Sequence, residues 1–216
     1  MYANVRGMTP MRWAGFAAAV GGGLWAAKGT VILLTGDQPE YIFEVAPLFL
    51  ALGLVGLHAR LRGRGGRTAR VGGLLAWAGV ALAATTAAVY VATTDGEAFL
   101  LDATFPLAML SIVGALVLLG IAVRRAHALP GRWRSLPLAI VAGVIPLALV
   151  GGILETISER LLEIPLVVQG LAWIALGYAI WNRAPPSTFP RQQRPRELDR
   201  ESAMTASTSV GHFRST

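Results

Sequence analysis

The chain has no cysteine, one lysine and three histidines in 216 positions. Without cysteine there can be no disulfide, thiolate ligand or thiol nucleophile. The histidines avoid the middles of the apolar runs, and neither His-Glu-x-x-His nor Gly-x-Ser-x-Gly occurs. Zinc, haem and serine-nucleophile chemistry therefore have nothing to build on. No catalytic residue, metal or cofactor is assigned, and an enzyme acting on a lipid head group through its acids ranks third among the functional readings.

Charge is scarce as well, at 14% of residues against 54% apolar. A soluble domain of this length needs a far more polar surface, so the composition belongs to the membrane class. Nearly uncharged runs cover 13–35, 41–59, 71–94, 99–123, 136–157 and 161–181. Each has the roughly 20 residues that carry a helix across ~30 Å of hydrocarbon. The expectation is all-α: a bundle of six transmembrane helices over 1–183, followed by a basic cytoplasmic tail over 184–216. That tail is rich in Pro, Arg, Gln, Ser and Thr and has no apolar period, so it is expected to be disordered.

The charges that remain alternate in sign from one gap to the next. Arg60, Arg62, Arg64, Arg67 and Arg70 fill one gap, with Asp37 and Glu40 before it and Asp95 and Glu97 after. With six spans, Arg6, Arg12, Arg124, Arg125, Arg132, Arg134 and Arg183 join the first cluster on one face. Lysine and arginine stay on the cytoplasmic side of short loops, so both termini are read as cytoplasmic. Tyr41, Tyr90 and Phe99 at one boundary and Trp13, Trp133, Tyr178 and Trp181 at the other fit aromatic belts. The first run continues to Leu34, beyond the length of a signal-peptide core, and is read as an uncleaved span. Heavy use of Arg, Ala and Gly suggests a high-GC bacterial genome, hence the plasma membrane.

A net charge of +7 does not call for nucleic acid. Orientation explains the basic loops, and anionic lipid head groups facing them can add about 1 kcal/mol per side chain. The stretch Gly63-Arg64-Gly65-Gly66-Arg67 lacks the Lys-Ser/Thr ending of a phosphate loop and reads as a flexible connection.

Three even-numbered spans begin alike: Glu44 precedes Pro47-Leu48, Asp102 precedes Pro106-Leu107 and Glu163 precedes Pro165-Leu166. Three copies of a helical hairpin would produce this pattern. So would three independent helix starts, since an acid and a proline both favour the first turn. The glycine pairs of the odd spans, 21–23, 72–73 and 151–152, do not hold one depth and do not support the repeat cleanly.

Lys28 stands alone as a basic residue well inside a span. With the first helix ending near Thr35, it lies about 10 Å below the surface at ~1.5 Å per residue. A charge there costs about 2.5 kcal/mol or more unless it snorkels, pairs or meets water. Glu44, across a short connection, is the natural partner, and Asp102 and Glu163 start their helices at comparable depth. Lys28, Glu44, Asp102 and Glu163 are therefore the candidate ion or solute site, with Lys28 tuning the proton affinity of the acids. The plainer alternative is one structural pair and two interfacial helix starts.

Gln169 and Ser111 are expected to hydrogen-bond between helices, and His58 to sit at an interface. The small residues at 72–73 and 83–88 suggest that the third helix is central. The function expected is a small permease-like or ion-coupled protein with an outward-facing acidic site. The alternative is a non-catalytic membrane partner that assembles with another membrane protein or with a second copy of itself.

Overall fold

A computed structural model describes residues 10–39, 42–92 and 98–182. The tail expected over 184–216 lies outside them. The described chain is all-helical: α1 (Pro10–Thr35), α2 (Ile42–Arg60), α3 (Gly66–Ala92), α4 (Ala98–Ala126), α5 (Leu136–Glu155) and α6 (Ile164–Trp181). A short 3-10 turn precedes each of α5 and α6, at Gly131–Ser135 and Glu159–Glu163. Five of these segments, 23 to 27 residues long, are long and apolar enough to cross a membrane, while the apolar stretch within α2, Val45–Arg60, is shorter.

The helices are apolar all round, not on one stripe. Trp13, Leu74, Trp77, Leu110, Ile145, Leu149, Ile153 and Leu171 all point outward. A helix that exposes such side chains on every side is matched to lipid and not to water, and its backbone groups are satisfied internally.

Consecutive helices run antiparallel, and glycines set the register. A Cβ built on Gly22 of α1 would lie 2.5 Å from the Gly170 carbonyl oxygen of α6, and one on Gly170 would lie 2.5 Å from that of Gly22. Gly15 meets Gly177 and Trp181 one way along this seam, and Gly29 meets Val167 and the Glu163 carbonyl the other way. On the opposite side of α1, Gly21 packs on Leu50, Gly53 on Ala18 and Gly56 on Ala14 of the α1–α2 pair. Small residues let backbones approach this closely, which is the main attraction available between helices in lipid.

The interior belongs to α2. Ala46, Leu50, Ala51, Leu54 and Leu57 have no exposed surface, and Leu61 beyond the helix end has almost none. This corrects the expectation that α3 is central. Its small residues Gly72, Gly73, Ala76, Gly79, Ala83 and Thr86 repeat every three or four positions and form one face against α2 and α4. Val71, Leu74 and Trp77 turn outward. Small residues make a seam, and one seam suffices at the edge of a bundle.

Charge divides between the two ends. Arg12, Arg60, Arg62, Arg64, Arg67, Arg70, Arg124, Arg125, Arg132 and Arg134 gather where α1 starts and α6 stops, with no acid among the described residues there. The other end carries Asp37, Glu155, Glu159, Arg160 and Glu163. At this acidic end Gly36 takes φ +81° and its N–H bonds the Ile32 carbonyl, closing α1 in the left-handed conformation that glycine adopts without strain. Arg160 lies over Gly36, where a Cβ would come within 2.7 Å of the guanidinium.

At the basic end Arg60 donates from Nη1 to the carbonyls of Ala179 at 3.5 Å and Ile180 at 3.3 Å. The last residue of α2 thus caps the C-terminus of α6, where free carbonyls and the helix dipole favour a cation. Arg60→Met is expected to cost about 1 kcal/mol and to lower the unfolding temperature in detergent by about 2–4 °C. Exposed Arg64→Met, measured alongside, should change nothing.

Candidate functional site

Lys28 is one of two buried polar or charged residues among those described, at 5% exposure, and Thr86 is the other at 2%. Lys28 is not without a partner inside the bundle. Its position follows from the seams on either side of α1. Carrying the α1–α2 register about two turns beyond the Gly21–Leu50 contact brings Lys28 level with the backbone of residues 43 and 44. On α6, the neighbouring Gly29 meets the Glu163 carbonyl, where a Cβ would lie 3.0 Å from the oxygen.

The same layer continues into α3 and α4. Thr86 and Thr104 join their hydroxyls at 2.9 Å across the α3–α4 seam. The Thr86 oxygen also lies 3.0 Å from the Leu82 carbonyl, so Thr86 can donate to its own helix and accept from Thr104. From the Gly79 contacts with Ala51 of α2 and Ile112 of α4, about two turns lead to Thr86, to the level of Glu44 on α2 and to Thr104 on α4. Lys28, Thr86 and Thr104 therefore share one layer of the bundle, roughly 10 Å inside its acidic end at ~1.5 Å per residue.

The candidate residues differ in how they relate to this layer. The Glu44 and Asp102 side chains lie outside the described residues; their backbones belong to α2 and α4, and Asp102 stands two positions before Thr104. Glu163 ends the 3-10 turn that leads into α6 and is half-buried, and its side chain does not cap that helix. The fold thus brings Lys28 and the Glu163 backbone to one seam. Asp102 is on α4, which packs on α2, α3 and α5 and, among the described residues, has no substantial contact with α1.

Thr86 sits in an alanine-rich run and Thr104 just before Pro106, and neither stands out locally in the sequence. The available signal is spacing: Thr86 falls on the face of Gly72, Gly79 and Ala83. Gln169 lines a cavity with mainly apolar walls. His58, near the end of α2, is half-buried: its ring covers Gly73 of α3, and Nδ1 is enclosed without a hydrogen-bond partner. The glycine leaves the space that the imidazole fills.

Chemically, an amine that can lose its proton and two hydroxyls in one layer, with carboxylates on adjoining turns, can coordinate a small cation or pass a proton. Comparison of the chain with family models, with curated proteins and with solved structures finds no match.

Proposed function

We propose that this chain is a permease-like or ion-coupled protein of the plasma membrane, in which Lys28, Glu44, Asp102 and Glu163 form a site reached from the acidic end. The observation that carries this reading is the burial of Lys28 in one layer with Thr86 and Thr104. A deep charge is expensive in lipid and is commonly kept for ion or proton handling.

The proposal includes six spans and cytoplasmic termini. The 19 residues of α2 cover about 28 Å at ~1.5 Å per residue, close to the hydrocarbon thickness, and α2 pairs antiparallel with the longer α1. Gathering of the arginines at one end supports placing that end in the cytoplasm, facing anionic lipid. The three-hairpin repeat draws support from the close α1–α2 and α3–α4 pairs. The α5–α6 pair is looser, and Pro165 opens α6 while Pro47 and Pro106 lie inside their helices.

A second reading, a subunit of a larger membrane complex or a homo-oligomer, is favoured by one observation. Backbones touch along the α1–α6 seam and close-packed small residues fill the α1–α2 seam on either side of Lys28.

Thiol labelling separates the two readings, since the chain has no cysteine of its own. In intact cells, Asp37→Cys is expected to react with a membrane-impermeant maleimide and Arg64→Cys is not. Lys28→Cys is expected to react more slowly than Asp37→Cys but measurably, because water reaches the layer. A silent Lys28→Cys beside a reactive Asp37→Cys means a dry structural pair and turns the search to partners. Reaction at Arg64→Cys overturns the orientation.

A further inference from the structure

Between α4, α5 and α6 lies a cavity of about 290 Å³. It exists because α5 is pinned only near its ends. Pro137 and Leu138 pack on Gly120 of α4, and Gly151 packs on Leu162 and Pro165 at the start of α6. Between those points α5 buries only Ile140. The wall is apolar, with Ile112, Val144 and Leu166 contributing, and is interrupted by the Gln169 amide and backed by Trp25.

Trp25 carries the telling feature. It is 6% exposed, and its indole Nε1 has no hydrogen-bond partner. The α1–α6 register, in which Gly22 meets Gly170, Trp173 and Ile174, puts Trp25 within a turn of Gln169. A buried donor left unpaired has given up its hydration for nothing in return, and the hydrocarbon core has no water to relieve it. Indole can only donate, whereas the amide of Gln169 can donate or accept. A donor amide in a mostly apolar wall, with an unpaired indole N–H enclosed close behind it, suits a single neutral oxygen on an apolar body.

We propose that this cavity is a binding site for a neutral, lipid-soluble carbonyl compound of the quinone type, whose oxygen is taken by the Trp25 indole after a small shift of the side chains covering it, and by the Gln169 amide. Size agrees: an apolar cavity of about 150 Å³ holds benzene, and about twice that volume admits a substituted ring and the start of a tail. A charged solute would find no countercharge in the wall. A phospholipid chain would fill the volume but bring no acceptor, because its ester carbonyls stay at the interface while Gln169 lies roughly 8 Å into α6 at ~1.5 Å per residue. The proposal does not depend on the Lys28 layer.

The test uses the full chain in lipid nanodiscs, with Trp13, Trp77, Trp133 and Trp181 changed to Phe so that only Trp25 and Trp173 report. Titration with a short-chain benzoquinone is expected to quench them saturably. Trp25→Phe, read from Trp173, is expected to raise the half-saturating concentration about five- to tenfold, and Gln169→Leu to raise it in the same direction. Ala148→Phe, which adds bulk from α5 into the cavity, is expected to abolish saturation. If Trp25→Phe does not elute as a single species, Gln169→Leu carries the test alone. Quenching that rises linearly in every variant means partition into lipid only and overturns the proposal, as does saturation unchanged by Ala148→Phe. Strong quenching by brominated-chain phosphatidylcholine that the quinone fails to relieve would show an acyl chain as the occupant, and would overturn it equally.

Discussion

Gly170→Val is expected to leave little or no monodisperse protein in detergent, through a loss of at least about 3 kcal/mol. A Cβ at this position would lie 2.5 Å from the Gly22 carbonyl oxygen and 2.7 Å from the Ala26 nitrogen. Both are backbone atoms of α1 and cannot rotate away, so the helices must separate. Separation forfeits the close packing that holds helices together in lipid, where no hydrophobic force favours contact. The contrast lies at Gly23 and Gly152, where an added Cβ meets nothing within 4 Å. Gly23→Ala and Gly152→Ala are expected to be neutral or to stabilise by up to about 1 kcal/mol, since glycine is a poor helix former. Size-exclusion profiles and thermal unfolding followed by tryptophan fluorescence read all three. Wild-type behaviour of Gly170→Val would mean that the α1–α6 contact does not exist in the folded protein.

Lys28→Met is expected to reduce proton or cation flux in proteoliposomes at least tenfold while the protein still elutes as wild type. Methionine keeps most of the side-chain volume in a site that is 5% exposed, so the packing of α1 survives. Losing the amine removes the one side chain in the layer that can carry a positive charge or release a proton. Lys28→Arg then separates two roles. Arginine stays protonated, so a fixed-charge role preserves flux and a proton-relay role does not. A purely structural pair gives a different result, because removing one partner of a buried pair costs about 3–5 kcal/mol. Lys28→Met would then unfold well below wild type, and Lys28→Arg would largely restore stability. No wild-type flux, whether of protons or of alkali cations, would withdraw the permease reading itself.

How much of the site was legible depended on the kind of residue. Lys28 was visible because a lone lysine in an apolar run is costly wherever the run folds. Thr86 and Thr104 were not, because a threonine in a span can satisfy itself on its own helix. Thr85 does so on the Ala81 carbonyl at 3.0 Å, and nothing local distinguishes it from its neighbour Thr86, which also reaches another helix. The packing of His58 was not legible for a related reason: the gap above Gly73 that its ring fills belongs to a different helix. Trp25 is apolar in composition, and its orphaned N–H shows only once its neighbours are known.

What the sequence by itself determined was one-dimensional: six helices with nearly correct limits, apolar on all sides, and all the arginines between the spans but Arg160 gathered at one end. Hydrogen bonding within each helix and the cost of charge in lipid act along the chain, so a run of residues carries that information. Tertiary structure decided which helix is interior, which seams close and where a cavity remains. Helices that are apolar all round have no face that marks a partner, and the choice falls to shape: α2 takes the centre because glycines at 53 and 56 accept Ala18 and Ala14 of α1, and α5 stays loose because it buries so little against α4 and α6.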